Sequence, residues 1–130
     1  MKKSLFLYIL FLSAITIANA QVTVTSKPDS AVIFIGERRG VTLEVSADAG
    51  RNVELPSYDS LQIVDTGLEF VNAEKADTNF INDGKRVTVT RRYYFTAFDS
   101  ALYLIPEMKV MVDGREYMSK KHALKVIVPF

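Results

Sequence analysis

Residues 41–47, Val-Thr-Leu-Glu-Val-Ser-Ala, alternate apolar and polar positions without interruption. At two residues per repeat this puts Val41, Leu43, Val45 and Ala47 on one strand face, the face a core would cover. Residues 124–128, Leu-Lys-Val-Ile-Val, do nearly the same towards the other end of the chain. Further runs rich in Val, Ile, Thr, Tyr and Phe occupy residues 22–25, 31–35, 52–55, 61–64, 68–80, 86–98, 102–105, 108–112 and 115–118. No window sustains an apolar period of about 3.6 residues, so the pattern predicts strands and no helix of consequence.

Turn chemistry divides these runs. Asp83-Gly84 and Asp113-Gly114 each lie between strand-like segments, and glycine readily supplies the positive φ that a primed two-residue hairpin turn demands. A turn at Asp113-Gly114 sets Val112 opposite Arg115, Val110 opposite Tyr117 and Lys109 opposite Met118. A turn at Asp83-Gly84 sets Phe80 opposite Val87 and, if the ribbon continues, Phe70 opposite Ala97. Pro28, Pro56, Pro106 and Pro129 fall at strand ends or junctions, where a missing N–H does no damage. Many short strands with turn signals about every 8 to 12 residues mean a β-sandwich more often than a barrel, and the expectation is an antiparallel sandwich of about seven to nine strands. Asp99-Ser100-Ala101-Leu102-Tyr103 resembles the D-x-A-x-Y entry to the F strand of immunoglobulin-like domains. There Asp99, Ala101 and Tyr103 would form a tyrosine corner, its phenol bonded to backbone upstream. Ile105 stands where an antibody domain has its second cysteine, and the chain has no Trp, so the resemblance is to the architecture alone.

The N-terminus has its own pattern. Met1-Lys2-Lys3 is cationic, residues 5–17 are apolar, and Ala18-Asn19-Ala20 is a small-x-small site, together a signal peptide over residues 1–20 cut between Ala20 and Gln21. A retained anchor would need about 20 apolar residues, and residues 19–25 are too polar to extend the run. Residues 21–130 are then expected to form one exported domain without a membrane span. The absence of cysteine suits a bacterial periplasm or cell surface better than a eukaryotic secretory route.

Charge and composition narrow the chemistry. Cleavage takes Lys2 and Lys3 from the 16 basic residues, leaving 14 against 15 acidic ones with no polybasic stretch, a poor match for nucleic acid. With 0 Cys and 1 His, thiolate catalysis, cysteine zinc sites and disulfides are excluded. His122 falls in a connection and reads as a surface imidazole. No G-x-S-x-G motif accompanies the serines and no phosphate-cradling glycine loop is present. Asp77-Thr78-Asn79 and Asn82-Asp83 offer oxygen ligands but follow no calcium-loop spacing, and turn solvation explains them more simply. No catalytic residue, metal or cofactor is therefore assigned. Arg91 and Arg92 interrupt an apolar strand, and alternation puts Arg91 on the face of Val87, Val89, Tyr93 and Phe95. Either a bulge re-aims it or it pairs with a carboxylate such as Glu74. Arg91, Arg92 and Tyr94 are the candidates for contact with a partner. Tyr93, Tyr94 and Tyr117 offer a sugar platform if exposed, although core packing accounts for such residues more often.

The order of Ile35-Gly36-Glu37, Val53-Glu54-Leu55-Pro56, Asn82-Asp83-Gly84-Lys85-Arg86, residues 98–103, Ile105-Pro106-Glu107-Met108, residues 112–117 and Ser119 resembles the first extracytoplasmic domain of BatD-type aerotolerance (oxygen tolerance) proteins. The resemblance spans nearly all of residues 21–130. It implies an immunoglobulin-like module on the periplasmic side of a Gram-negative inner membrane, acting in a complex with von Willebrand A-domain proteins. Such proteins are several times longer, with further sandwich domains and a membrane helix that this sequence does not include, and the family supplies no catalytic residue. The expectation is a non-enzymatic protein-interaction module, with a carbohydrate-binding or adhesion module as the alternative.

Overall fold

The computed structural model describes residues 21–59 and 62–129, so the signal-peptide reading and Leu61 lie outside the described residues. Strands make up 62% of what is described and no helix is present there, which makes the chain all-β. Twelve strands follow in order: β1 (Thr23–Pro28), β2 (Val32–Phe34), β3 (Arg39–Asp48), β4 (Val53–Glu54), β5 (Ile63–Asp65), β6 (Leu68–Ala73), β7 (Asp77–Ile81), β8 (Arg86–Ala97), β9 (Ala101–Ile105), β10 (Lys109–Val112), β11 (Arg115–Met118) and β12 (His122–Ile127). The number exceeds the expected seven to nine because short runs such as Val53–Glu54 form strands of their own and the run over residues 68–80 breaks into β6 and β7.

Three sheets share one core. A curled six-stranded sheet runs β1-β3-β8-β6-β5 with β7 also on β8, and two three-stranded sheets run β11-β10-β4 and β2-β12-β9. Pairing is antiparallel except between β2 and β12, which are parallel. These two strands come from opposite ends of the domain, so no hairpin turn dictates their direction. The alternation in β3 has the expected result: Val41, Leu43, Val45 and Ala47 are all at most 1% exposed. They meet Tyr93 and Phe95 of β8, Ile33 of β2, Ile105 of β9, Val110 of β10 and Leu124 of β12 in a single cluster.

The hairpins set the local registers. In β10–β11, Val112 pairs with Arg115, Val110 with Tyr117 and Lys109 with Met118, and Asp113 and Gly114 have φ of 51° and 80°. In β7–β8, Phe80 pairs with Val87 and the Lys85 N–H donates to the Asn82 carbonyl at 3.1 Å. The long ribbon does not continue in that register. Phe70 lies opposite Phe95 and Leu68 opposite Ala97, because the chain leaves the sheet between β7 and β6 and an irregularity between Phe70 and Asn72 shifts the pairing again. At the base of β10–β11, buried Ser119 and Met108 close the ladder: the Met108 N–H donates to Ser119 Oγ at 2.8 Å and the Ser119 N–H to the Met108 carbonyl at 3.0 Å.

Candidate functional site

β8 places its two arginines on opposite sides of the sheet. Arg92 points outward, where its guanidinium pairs with Asp29 and lies 5.1 Å from the Tyr94 ring centroid. Arg38 lies over the same ring at 5.3 Å, and the Tyr94 hydroxyl donates to Glu74 Oε1 at 2.5 Å. Arg92 and Tyr94 are thus engaged within the chain. No tyrosine platform forms either, since Tyr93 is fully buried on the opposite face from Tyr94.

Arg91 stays on the core-facing side, 5.5 Å from the Tyr93 ring centroid. Neither of its expected compensations occurs. Its Nε donates to the backbone carbonyl of Glu74 at 2.8 Å, while the Glu74 carboxylate is taken by Tyr94. The reason is that the chain turns away from the sheet at Glu74, whose N–H donates to the Arg92 carbonyl, so its carbonyl is left for Arg91. Among the described residues no carboxylate lies within ion-pair distance of Arg91.

Arg91 stands between two hollows. One, of about 450 Å³, is lined by Val53 and Leu55 on the β4 side and by Phe80, Val87 and Val89 of the β7–β8 hairpin. The other, of about 280 Å³, is bounded by Pro56, Tyr58, Phe70 and Tyr93. The larger hollow exists because the facing sheet contributes there only the two-residue β4. Phe80, which shares a face with Val87, is consequently 66% exposed.

A second surface was not singled out by the sequence reading. On β9, β12 and β2 the residues directly opposite one another form the rows Leu102–Lys125–Val32 and Ile127–Phe34, with Leu104 beside Ala123. Leu102 is 70% exposed, and Leu104, Val32 and Phe34 are exposed with it. This sheet therefore turns an apolar face outward, broken only by Lys125. Its signal in the sequence was faint: Leu102 and Leu104 belong to the continuous apolar run Ala-Leu-Tyr-Leu-Ile, which does not say which residues face water.

The β2 edge of that sheet is closed by the neighbouring chain, and the β9 edge is met at one N–H. Ser30 Oγ accepts from the Val32 N–H at 3.2 Å and donates to the Val32 carbonyl at 2.7 Å. Glu37 Oε1 accepts from the Phe34 N–H at 2.7 Å, and the Glu37 N–H donates to the Phe34 carbonyl at 3.1 Å. On the β9 side, Asp65 Oδ2 accepts from the Leu104 N–H at 2.9 Å. Capping of this kind blocks strand addition at β2.

Tyr103, 4% exposed, donates its hydroxyl to the Asp99 carbonyl at 2.9 Å, and Ala101 begins β9 between them. His122 does not lie in a connection: it begins β12, paired with Ile105, and its Nε2 is 2.9 Å from Ser26 Oγ on β1. Ladder bonding to β9 is what draws it into the strand. The Ser26–His122 contact joins partners far apart in sequence, and among the described residues no carboxylate bonds the imidazole, so it reads as a tie between β1 and β12 rather than a nucleophile and its base. Among the described residues no three His, Asp or Glu side chains converge in a metal-binding arrangement, and no helix is long and apolar enough to cross a membrane. Comparison with known proteins found no matching family model, no matching curated protein and no matching solved structure.

Proposed function

We propose that this chain is a non-enzymatic protein-interaction module acting outside the cytoplasm, built as an immunoglobulin-like sandwich and used as the first domain of BatD-type proteins is used. The observation that carries the reading is the outward apolar face of β2, β12 and β9. Monomeric proteins seldom leave a contiguous patch of this kind uncovered, and where they do it marks a site of association. The Tyr103–Asp99 bond and the antiparallel sheets around one core support the immunoglobulin-like part of the proposal. The signal-peptide pattern of residues 1–20 supports export.

The test is photocrosslinking in a Gram-negative host that exports the chain, with the crosslinker at Leu102 and, as control, at Thr25 on the exposed face of β1. The expected product is a Leu102 adduct with an inner-membrane protein, a von Willebrand A-domain protein among the candidates, lost on Leu104→Glu. Adducts of equal yield from both positions would defeat the reading. So would glycan binding lost on Tyr94→Ala, which belongs to a carbohydrate-binding module.

A further inference from the structure

The layer over the inner face of the β7–β8 hairpin is one strand short. Phe80, Val87 and Val89 face inward from the hairpin, Val53 and Leu55 face them from the β4 side, and about 450 Å³ lies between. β4 pairs only with β10 and β7 only with β8, so among the described residues both strands bordering the slot have a free edge. The contrast with β2 is informative. There the chain closes its outward backbone groups with Ser30 and Glu37, whereas among the described residues no such cap covers β4 or β7.

Charge specifies the occupant further. At one end of the slot Arg51 is matched by Asp113 at 2.9 Å, but at the other Arg91 bonds the Glu74 carbonyl through Nε and, among the described residues, pairs with no carboxylate. A half-buried guanidinium set against apolar and aromatic walls, with no carboxylate of the described residues on it, has the fork geometry to take one from a partner. A compact apolar acid would leave the two strand edges unserved, whereas an extended chain supplies main-chain partners, alternate apolar side chains and the carboxylate together.

We propose that the slot receives an extended acidic segment of a partner protein. The segment pairs with the free edge of β4, sets alternate apolar side chains on Phe80, Val87 and Val89, and places a Glu or Asp on Arg91. The site is separate from the apolar face of β2, β12 and β9 and goes beyond the function proposed above.

The experiment titrates the purified chain with a short peptide alternating valine and threonine, kept soluble by terminal lysines and carrying one central glutamate, and with its glutamine counterpart. Amide NMR shifts report where each binds. The expected result is shifts at Val53, Leu55 and Phe80, with the glutamate peptide about tenfold the tighter, a difference of about 1.4 kcal/mol. Arg91→Gln should remove that preference and Arg91→Lys restore part of it, while Phe80→Ser, at an exposed position, weakens both peptides equally. Leu102→Glu should leave the titration unchanged, which keeps this result independent of the other surface. Equal affinity for the two peptides overturns the proposal, as do shifts confined to Leu102 and Leu104. Slot shifts that track protein concentration without peptide also overturn it, since they would make the occupant a second copy of the chain.

Discussion

Three tyrosine hydroxyls in this chain have two kinds of surroundings, and a single deleted oxygen separates them. Tyr103 donates to the Asp99 carbonyl and Tyr93 to the Pro56 carbonyl at 2.7 Å, both rings being buried. Tyr103→Phe and Tyr93→Phe should each cost about 0.5–1.5 kcal/mol in chemical denaturation, because the ring packing survives and one bond is lost. Tyr94→Phe should be nearly neutral. Its hydroxyl meets Glu74 rather than water alone, but at the surface, where exchange for solvent is cheap. Tyr93 also makes a prediction about pH. Burial pushes its phenol from 10.0 up to about 12, against a smaller pull downward from Arg91. The folded state therefore keeps a proton that the unfolded state releases above pH 10. This contribution to stability is complete below pH 10 and is lost as pH rises towards about 12. Denaturation midpoints followed across that range should fall more steeply for the parent chain than for Tyr93→Phe, and parallel curves would refute the assignment.

At the scale of elements, the β10–β11 turn shows conformation acting alone. Gly114 has φ of 80° and nothing lies within 4 Å of where its Cβ would stand, so a substitution there meets no neighbour. Gly114→Val should still cost about 1–2 kcal/mol, since a β-branched residue resists the left-handed region, whereas Gly114→Asn should cost much less. Equal losses in thermal denaturation would show that the turn relaxes to another type. Gly67 differs: at φ of 83° a Cβ would also come within 3.1 Å of Tyr103 Cε1, so Gly67→Ala adds crowding to strain and disturbs the ring that anchors β9. Asp113 ties the same β10–β11 turn to the chain before β4, accepting from the Asn52 N–H at 2.8 Å and pairing with Arg51. These contacts hold its carboxyl below its ordinary value, backbone bond first, so the tie persists as pH falls past that value and loosens only below it.

For the molecule as a whole, the same residue type has opposite consequences on its two sides. Leu43 is fully buried in β3, and Leu43→Ala should cost about 2–5 kcal/mol. Leu102 and Leu104 of β9 face outward, and Leu102→Ala should change stability by no more than about 0.5 kcal/mol while weakening association through the face of β2, β12 and β9. Urea denaturation beside sedimentation or crosslinking separates the two quantities. A large stability loss at Leu102 would mean that this face is packed within the chain itself. The curled six-stranded sheet and the two smaller sheets enclose one core, so the apolar face and the Arg91 slot are both consequences of incomplete coverage.

Local pattern was sufficient for the all-β class, for the inward set Val41, Leu43, Val45 and Ala47, and for the register of β10 on β11. Each depends on side-chain alternation or on a turn between adjacent residues, and such information is contained in a short stretch of chain. It failed where a long-range choice intervened. The parallel union of β2 with β12, the shifts that set Phe70 on Phe95, the Ser26–His122 tie and the meeting of Arg91 with the Glu74 carbonyl all join residues that no local period relates. The outward face of Leu102 and Leu104 was hidden for the same reason. An apolar run states that some residues will be buried, but which layer covers which face is decided only when sheets pack, and here two faces are left without a cover among the described residues.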